Sequence, residues 1–297
     1  MARARSDFRN RVEALAVAAL RGVFSRMSPE RAEAVGRRLG LAYRRVDGRR
    51  RELTRANIAR AFPEMPAGEV DALSRAVFAH FGGLTTELLH AVGRPVPEIV
   101  ARVEFPDAGF AREALRSGRG VLFLTAHLGN WEYSAIGMAA SGVKASVVAR
   151  PLDNPLLDAR LAAFRTGNGN EIIEKHDAAR GMLRVLRGGG VLGVLADQHV
   201  RPPDGIPAPF FGRPASTTSA LARIVDRTEA LVLPAAAIRI SPARYRLIVE
   251  SVLDVRCLSP KEREAGPLTA RFNAILENMI RRHPEQWLWL HNRWRLD

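Results

Sequence analysis

The sequence contains one cysteine, Cys257, so no disulfide bond can form within the chain, which fits a reducing compartment. No catalytic signature surrounds Cys257, which favours a small buried hydrophobic side chain. Long apolar runs are also missing. The longest stretch without Asp, Glu, Lys or Arg runs from Gly120 to Trp131, whereas a membrane-spanning helix needs roughly 20 consecutive apolar residues. We therefore expect neither an ordinary transmembrane helix nor a cleaved signal peptide.

Lysine is scarce as well: three of the 45 basic residues are lysine and 42 are arginine, in a chain of net charge +14. Residues 1–60 carry 16 arginines against six acidic residues, a net charge of +10. This asymmetry predicts an anionic partner, which is nucleic acid, an anionic membrane surface or an acidic protein, with a solvated basic face as the alternative. The aromatic residues available there for base stacking are only Phe8, Phe24 and Tyr43. We therefore expect no nucleic-acid partner.

The remaining composition is typical of a globular chain, with 47% hydrophobic and 26% charged residues. Helical spacing of apolar residues extends through residues 1–95, and over 96–297 short apolar runs alternate with helical patterns. The predicted fold class is therefore α/β, with a helical basic N-terminal segment and a mostly parallel central sheet flanked by helices. Predicted helices cover 12–24, 29–45, 49–62, 69–92, 131–140, 154–165, 178–187, 219–227 and 268–282; predicted strands cover 120–126, 145–149, 171–174, 191–196, 230–239 and 244–250; a long loop is expected at 202–214.

A histidine follows the first buried strand of the predicted sheet. His127 lies just past 120–126, and Glu132 comes five residues later, at the start of a helix. Ligands of α/β folds bind beyond the carboxyl ends of the strands. An imidazole there can remove a proton from a hydroxyl, and a nearby carboxylate can fix its tautomer. The pair predicts acyl transfer with the substrate supplying the attacking oxygen; a loop histidine beside a helix-starting glutamate is the alternative.

Arginines follow the next strand along the chain. Arg150 comes directly after the predicted strand at 145–149, and Arg165 ends the helix that follows. Because the planar guanidinium group binds two oxygens at once, both positions suit a phosphate or carboxylate. Pairing of Arg150 with Asp153 or Asp158 is the equally weighted alternative.

A third strand ends in polar residues, Asp197 and Gln198. Three strands thus deliver His127, Arg150 and Asp197 to one edge of the sheet, and this convergence predicts a single site. No spacing of Cys, His and carboxylates supports a metal, so the neighbouring His199 is interpreted as a loop residue.

Other catalytic signatures are absent from the sequence. Neither a phosphate-binding loop nor a serine nucleophile elbow occurs, so we expect no covalent serine acyl-enzyme. The C-terminal stretch 284–294 holds three tryptophans, interpreted mainly as core. His291 and Arg293 in that stretch face either the core or the site, and the sequence leaves this open.

The motifs, taken in order, resemble the late lipid A acyltransferases (lauroyl and myristoyl acyltransferases) within the wider glycerolipid and lysophospholipid acyltransferase superfamily. The resemblance covers most of the chain from about residue 30. It rests on His127–Glu132 as H-x4-E, Arg150-Pro151 through Arg165, Ala196-Asp197-Gln198, Phe210-Phe211-Gly212 with Thr217-Thr218, the helix at 50–64 and the ending Pro-Glu-Gln-Trp-Leu-Trp-Leu-His.

The resemblance implies transfer of an acyl chain from acyl carrier protein, or acyl-CoA, to a hydroxyl of a membrane glycolipid. It implies His127 as general base with Glu132 as its partner. It also implies that Arg150 and Arg165 bind the acceptor's phosphate or the carrier's phosphopantetheine, and that Asp197 and Gln198 belong to the substrate site. No metal and no other cofactor is implied.

One departure concerns the N-terminus, where the family usually has a more hydrophobic helix. The apolar stretch at 12–24 is short and interrupted, which predicts an amphipathic helix lying in the interface of an anionic membrane. The expected location is the cytoplasmic face of the bacterial inner membrane. Two enzymatic alternatives stay open: an acyltransferase for another glycolipid or lysophospholipid, such as a phosphatidylinositol mannoside, and a lipid or thioester hydrolase that uses water.

Overall fold

A computed structural model describes residues 6–105, 109–174 and 178–295 of the chain. Four long helices begin the described part of the chain. Ser6, Ser28 and Asp47 each accept a hydrogen bond at the N-terminus of one of the first three, since their short side chains reach the unpaired backbone N–H groups there. The helices are α1 (Asp7–Phe24), α2 (Pro29–Val46), α3 (Gly48–Ala61) and α4 (Ala67–Ala91).

The rest of the described chain alternates between strands and helices. The strands are β1 (Val103–Glu104), β2 (Val121–Thr125), β3 (Ser146–Ala149), β4 (Glu171–Glu174), β5 (Val191–Leu195), β6 (Gly205–Phe210), β7 (Arg213–Thr218), β8 (Leu231–Ser241), β9 (Arg244–Val249) and β10 (Leu253–Asp254). The helices are α5 (Val96–Val100), α6 (Gly109–Arg116), α7 (Trp131–Ala140), α8 (Pro155–Thr166), α9 (Ala178–Arg187), α10 (Ala220–Thr228), α11 (Pro260–Arg263) and α12 (Ala265–Arg282).

The central sheet has the strand order β1-β9-β8-β2-β5-β3-β4, with β10 also paired to β8. Strands β8, β2, β5, β3 and β4 run parallel to one another, and both β9 and β10 are antiparallel to β8. The predicted α/β class with a mostly parallel sheet is therefore confirmed. Because β2 and β5 are adjacent and parallel, the residues that follow them meet at one edge of the sheet.

The long loop expected at 202–214 is wrong, because β6 and β7 form an antiparallel hairpin there. The prolines that argued against a strand are tolerated because a two-stranded ribbon has only edge strands. Phe211 and Gly212 turn the chain with positive φ angles of 51° and 69°, as a tight hairpin turn requires.

Side chains of β2 alternate between two apolar clusters, one on each face of the sheet. Leu122 and Leu124 face a cluster that contains Ile58 of α3 and Val77 of α4. Phe123 belongs to the opposite cluster with α7. The N-terminal helices thus share a hydrophobic core with the sheet, while the division into parts at residue 95 stays a prediction.

Two further expectations can be compared with the structure. Cys257 is exposed and not buried, because the short 3-10 turn that carries it lies outside the sheet. In the described ranges, no helix combines the length and the apolar character needed to cross a bilayer.

Helices α2 and α4 approach each other at glycines. A Cβ atom built on Gly82 of α4 would collide with the carbonyl oxygen of Gly36 and lie 2.7 Å from the Cα atom of Gly40. At the same crossing the Thr86 hydroxyl donates a 2.8 Å hydrogen bond to the carbonyl oxygen of Ala32. The absence of side chains at this crossing is what lets the two backbones touch.

We predict that Gly82→Ala lowers the free energy of unfolding by about 1–3 kcal/mol, because the new methyl group forces two backbones apart. Urea denaturation followed by circular dichroism measures the effect. Gly68→Ala, on the same helix, is the matched control, since nothing lies within 4 Å of its added Cβ atom. The control should be neutral or stabilising by up to about 1 kcal/mol; equal destabilisation by both variants would contradict the close-approach interpretation.

Candidate active site

A histidine and an aspartate meet at the carboxyl ends of β2 and β5. Each follows its strand by two residues, and the strands are aligned with Thr125 opposite Leu195. The ring Nδ1 of His127 lies 2.9 Å from Oδ1 of Asp197, and the backbone N–H of His127 donates to Oδ2 at 3.0 Å. The carboxylate therefore fixes both the ring and the backbone of the histidine. With the proton on Nδ1, the lone pair of the neutral ring is on Nε2.

The C-terminal segment supplies a third donor to the same carboxylate. Nε1 of Trp287 donates to Oδ2 of Asp197 at 2.8 Å. The backbone N–H of Leu288 donates to the carbonyl oxygen of His127 at 3.2 Å. Asp197 is 2% exposed, so these hydrogen bonds replace the water that an ionised carboxylate would otherwise need.

The pair shifts the titration of both groups. Burial alone would lower the pKa of His127, but the negative charge and hydrogen bond of Asp197 outweigh burial, so the pKa is raised above its usual value. Burial would raise the pKa of Asp197, and the histidine charge and the donated hydrogen bonds instead lower it to about 2. Asp197 is therefore an anion at neutral pH.

Glu132 is paired with an arginine. Nε of Arg165, on α8, donates to both carboxylate oxygens of Glu132 at 3.0 and 3.1 Å. Glu132 lies in the first turn of α7 and is 8% exposed. Its negative charge still acts on His127 and contributes to the raised pKa.

The two carboxylates make contacts that differ from those expected, while their roles in catalysis stay predictions. The carboxylate bonded to His127 is Asp197, not Glu132, because β5 is the neighbour of β2 while the glutamate side chain turns toward α8. Asp197, expected among substrate-binding residues, lies behind the histidine and is almost inaccessible. Sequence spacing missed this pair because adjacency across a parallel sheet leaves no local signal.

Gln198 lies next to the ring of His127, whereas Arg150 pairs with Asp153. Nε2 of Gln198 lies 3.3 Å from Nε2 of His127, and the glutamine is exposed, so its amide covers the free ring nitrogen. Arg150 follows β3 as predicted, but its side chain is 75% exposed and lies 3.4 Å from Asp153. Arg150 is therefore on the rim of the site and makes no contact with the histidine pair.

The other two candidates, near the C-terminus, bond to the backbone of other segments, and the charge of Asp197 acts on both. Nε2 of His291 accepts the backbone N–H of His199 at 3.1 Å, and burial lowers the pKa of His291 to about 4, so the ring is a neutral acceptor. Arg293 is fully buried and donates to the carbonyl oxygen of Ser216 and the hydroxyl of Thr217. Within the described ranges, no group of three His, Cys, Asp or Glu side chains could hold a metal ion.

Three residues around the loop after His127 were not predicted. Gly129 has a positive φ of 63°, and a Cβ there would collide with the carbonyl oxygen of Ala237. Nε2 of the buried His80 lies 3.4 Å from the carbonyl oxygen of Gly129. The ring of Trp131 packs edge-on against His127 with centroids 4.9 Å apart. The glycine in the motif was a usable signal; the contact from His80 had none.

We predict that the ring of His127 titrates above its ordinary value of about 6.5 and that Asp197→Asn brings it below that value. The substitution removes the charge that raises the pKa and leaves the burial that lowers it. Histidine-selective NMR over pH measures the ring directly. Gln198→Ala, which removes a neutral neighbour of the same ring, is the control and should move the pKa little. An unchanged pKa in Asp197→Asn would contradict the pairing.

Several known proteins are similar to this chain over most of its length. The sequence model of the family described as bacterial lipid A biosynthesis acyltransferase matches residues 5–296. The chain is 28% identical to a lipid A biosynthesis lauroyltransferase of Escherichia coli (strain K12), over 86% of this chain and 83% of that protein. It is 25% identical to a lipid A biosynthesis acyltransferase of Haemophilus influenzae, over 86% and 80%.

A relative with a different acceptor in its name is also similar. The chain is 22% identical to a phosphatidylinositol mannoside acyltransferase of Mycolicibacterium smegmatis, over 83% of this chain and 80% of that protein. The family match spans nearly the whole chain, and the resemblance seen in the motifs is confirmed. The chain belongs to the bacterial lipid A biosynthesis acyltransferase family and is an acyltransferase.

Proposed function

We propose that this enzyme moves a fatty acyl chain from acyl carrier protein, or acyl-CoA, to a hydroxyl of a lipid A precursor at a membrane surface. The observation that carries the proposal is the contact between His127 and Asp197, which leaves Nε2 of the ring as the available base at the edge of the sheet. The match to the family model supports acyl transfer to lipid A.

In the proposed reaction, Nε2 of His127 takes the proton of the acceptor hydroxyl. At the same time the oxygen of that hydroxyl attacks the carbonyl carbon of the thioester. The tetrahedral intermediate then expels the thiolate, which receives the same proton from the imidazolium. The products are an ester and a free thiol. Asp197 stabilises the imidazolium between the two steps, because its buried negative charge lies 2.9 Å from Nδ1. Gln198 must move aside when the hydroxyl approaches Nε2.

Glu132 and Arg165 have a different proposed role. Their ion pair holds a carboxylate near His127 without giving the site a net charge, since each group neutralises the other. The side chain of Arg165 is 22% exposed, which leaves part of it available for an anionic group of the acceptor or of the carrier's phosphopantetheine. Arg150 on the rim is available for the same class of ligand or for a lipid headgroup.

The N-terminal helix supports the proposed membrane contact. Phe8, Val12 and Leu15 on α1 are 78%, 49% and 70% exposed, and at 100° per residue they form one stripe. Arg9 and Arg11 flank this stripe. An apolar stripe bordered by arginines suits insertion at the interface of an anionic bilayer. The cytoplasmic face of the bacterial inner membrane is the location we propose.

We predict one acyl chain added to a lipid A precursor in a reaction that depends on His127. Purified enzyme is mixed with a tetra-acylated lipid A precursor, lysophosphatidate or a phosphatidylinositol mannoside, with acyl carrier protein and acyl-CoA thioesters supplied separately. Mass spectrometry identifies the product. His127→Ala should lower kcat by about 10²–10⁴-fold, which is the usual size of a general-base contribution.

Three other outcomes of this experiment would contradict parts of the proposal. Acylation of the mannoside alone would reassign the acceptor. Free fatty acid with every acceptor unchanged would favour a hydrolase. A loss of only a few fold in His127→Ala would refute the general-base assignment.

We also predict that Phe8→Glu/Leu15→Glu reduces binding to vesicles of phosphatidylglycerol and phosphatidylethanolamine by at least about tenfold, because the charges replace the inserting side chains. Vesicle co-sedimentation measures binding, with DNA at the same salt as the competitor. Val46→Glu is the control, since Val46 is 82% exposed but lies on α2. Equal binding by both variants, or preferential retention on DNA, would contradict the proposal.

A further inference from the structure

Two sequence motifs that lie more than two hundred residues apart have no role in the proposed reaction. One is on α3 and contains Asn57; the other is the C-terminal stretch Trp287–His291. They meet in the structure. Nδ2 of Asn57 donates two hydrogen bonds of 2.8 Å, one to the carbonyl oxygen of Trp289 and one to that of His291.

The chemistry of the asparagine side chain fits this contact specifically. Asn57 is fully buried, and both hydrogens of its amide nitrogen are used on the same segment. Its amide oxygen has no hydrogen-bond partner among the residues that the structure describes. Because both acceptors are carbonyl oxygens, only the NH₂ end of the amide can face them.

A second contact from α3 reaches the residue between these two carbonyls. Arg50 lies about two helical turns before Asn57. Its Nη1 donates to the carbonyl oxygen of Leu290 at 2.9 Å. The ring of Phe62, just after α3, packs on that of Trp289 with centroids 5.7 Å apart. Three consecutive carbonyls of the segment are thus held by one helix.

The held segment is the one that contacts the histidine pair. Trp287 donates to the carboxylate of Asp197, and the backbone of Leu288 donates to the carbonyl oxygen of His127. Apart from an isolated bridge between Leu128 and Trp287, the segment belongs to none of the described strands. Beyond this bridge and the hydrogen bond from Leu288, the contacts described for the segment come from side chains that reach it from elsewhere.

We propose that Asn57 is a positioning residue for the acyl-transfer reaction: through residues 287–291 it sets the contact between Asp197 and His127. The inference rests on the proposed function, in which that contact activates the base. Loss of the two donated hydrogen bonds leaves the buried carbonyl of Trp289 unpaired and the carbonyl of His291 with only the backbone N–H of Arg293, so the segment shifts toward water and the tryptophan no longer holds the carboxylate in place. A shift of less than 1 Å at this contact is enough to change catalysis.

The test uses Asn57→Leu in the full-length enzyme, since leucine has a similar size and cannot donate. We expect kcat per folded enzyme to fall at least about tenfold, KM for the thioester donor to change less than about twofold, and the ring pKa of His127 to fall. The pKa falls because the looser contact weakens the raising effect of Asp197 while burial remains. Steady-state kinetics and histidine-selective NMR measure the three quantities.

Thr54→Val is the matched control on the same helix. Thr54 is also fully buried, but its hydroxyl donates only to the carbonyl oxygen of Arg50 within α3. This variant should lose stability without a change in kcat per folded enzyme or in the pKa of His127. Arg50→Met is a milder test of the same contact should Asn57→Leu not fold, and it should lower kcat and the pKa in the same direction.

A double-mutant cycle with Trp287→Phe separates positioning from a general effect on the fold. If Asn57 acts through Trp287, the two losses in kcat are not additive, and the double variant is close to the worse single one. Additive losses, or a lower melting temperature with unchanged kcat and pKa, would overturn the inference. Retained activity in His127→Ala would instead refute the proposed base, while the NMR result would still test the link from Asn57 to the pair.

Discussion

The negative charge of Asp197 is the constraint on which the arrangement of the site depends. A carboxylate removed from water is costly unless donors surround it, and here the donors come from the loop after β2 and from the C-terminal segment. Each donor has to be in place for the charge to be stable. The same hydrogen bonds that satisfy the carboxylate therefore also define the orientation of His127.

A second buried cluster of charges joins the N-terminal helices to the sheet. Arg239, at the end of β8, lies 3.0 Å from Glu33 of α2 and 2.6 Å from Glu87 of α4. The hydroxyl of Tyr245 on β9 donates to Glu87 at 2.5 Å. Burial raises the pKa of Glu87, and the arginine partly offsets this effect. Helices and sheet are thus tied by polar contacts as well as by their shared apolar core.

Much of the fold could be predicted because its signals are local. The helix predicted at 131–140 and the strand predicted at 171–174 have the observed bounds, since apolar spacing and flanking turns mark both clearly. The hairpin at 205–218 was missed because its prolines argue against a strand unless the strand is known to lie at an edge. The short elements β1 and α5 carry too few residues to show any period.

The residues of the site could be predicted from the sequence more readily than the contacts that they make with one another. Strand ends brought His127 and Asp197 to one edge by a rule about parallel sheets, but strand order decides which carboxylate reaches the ring. The pairing of Glu132 with Arg165, the donor from Trp287 and the anchoring by Asn57 join positions 33, 90 and 232 or more residues apart. Contacts across such separations leave no trace in the spacing of a single sequence.

At position 293, the presence of arginine rather than lysine affects the charge of the buried side chain. Arg293 is fully buried above the ring of Phe210, with its guanidinium carbon 5.0 Å from the ring centroid. Burial lowers its pKa to about 10, which still leaves it protonated at neutral pH. A lysine begins from a lower pKa of about 10.4, and burial would lower the pKa of a lysine as well. Only the more basic of the two cations keeps a constant charge in that environment, so the contribution of position 293 to the electrostatic field at Asp197 does not change with the pH of the cell.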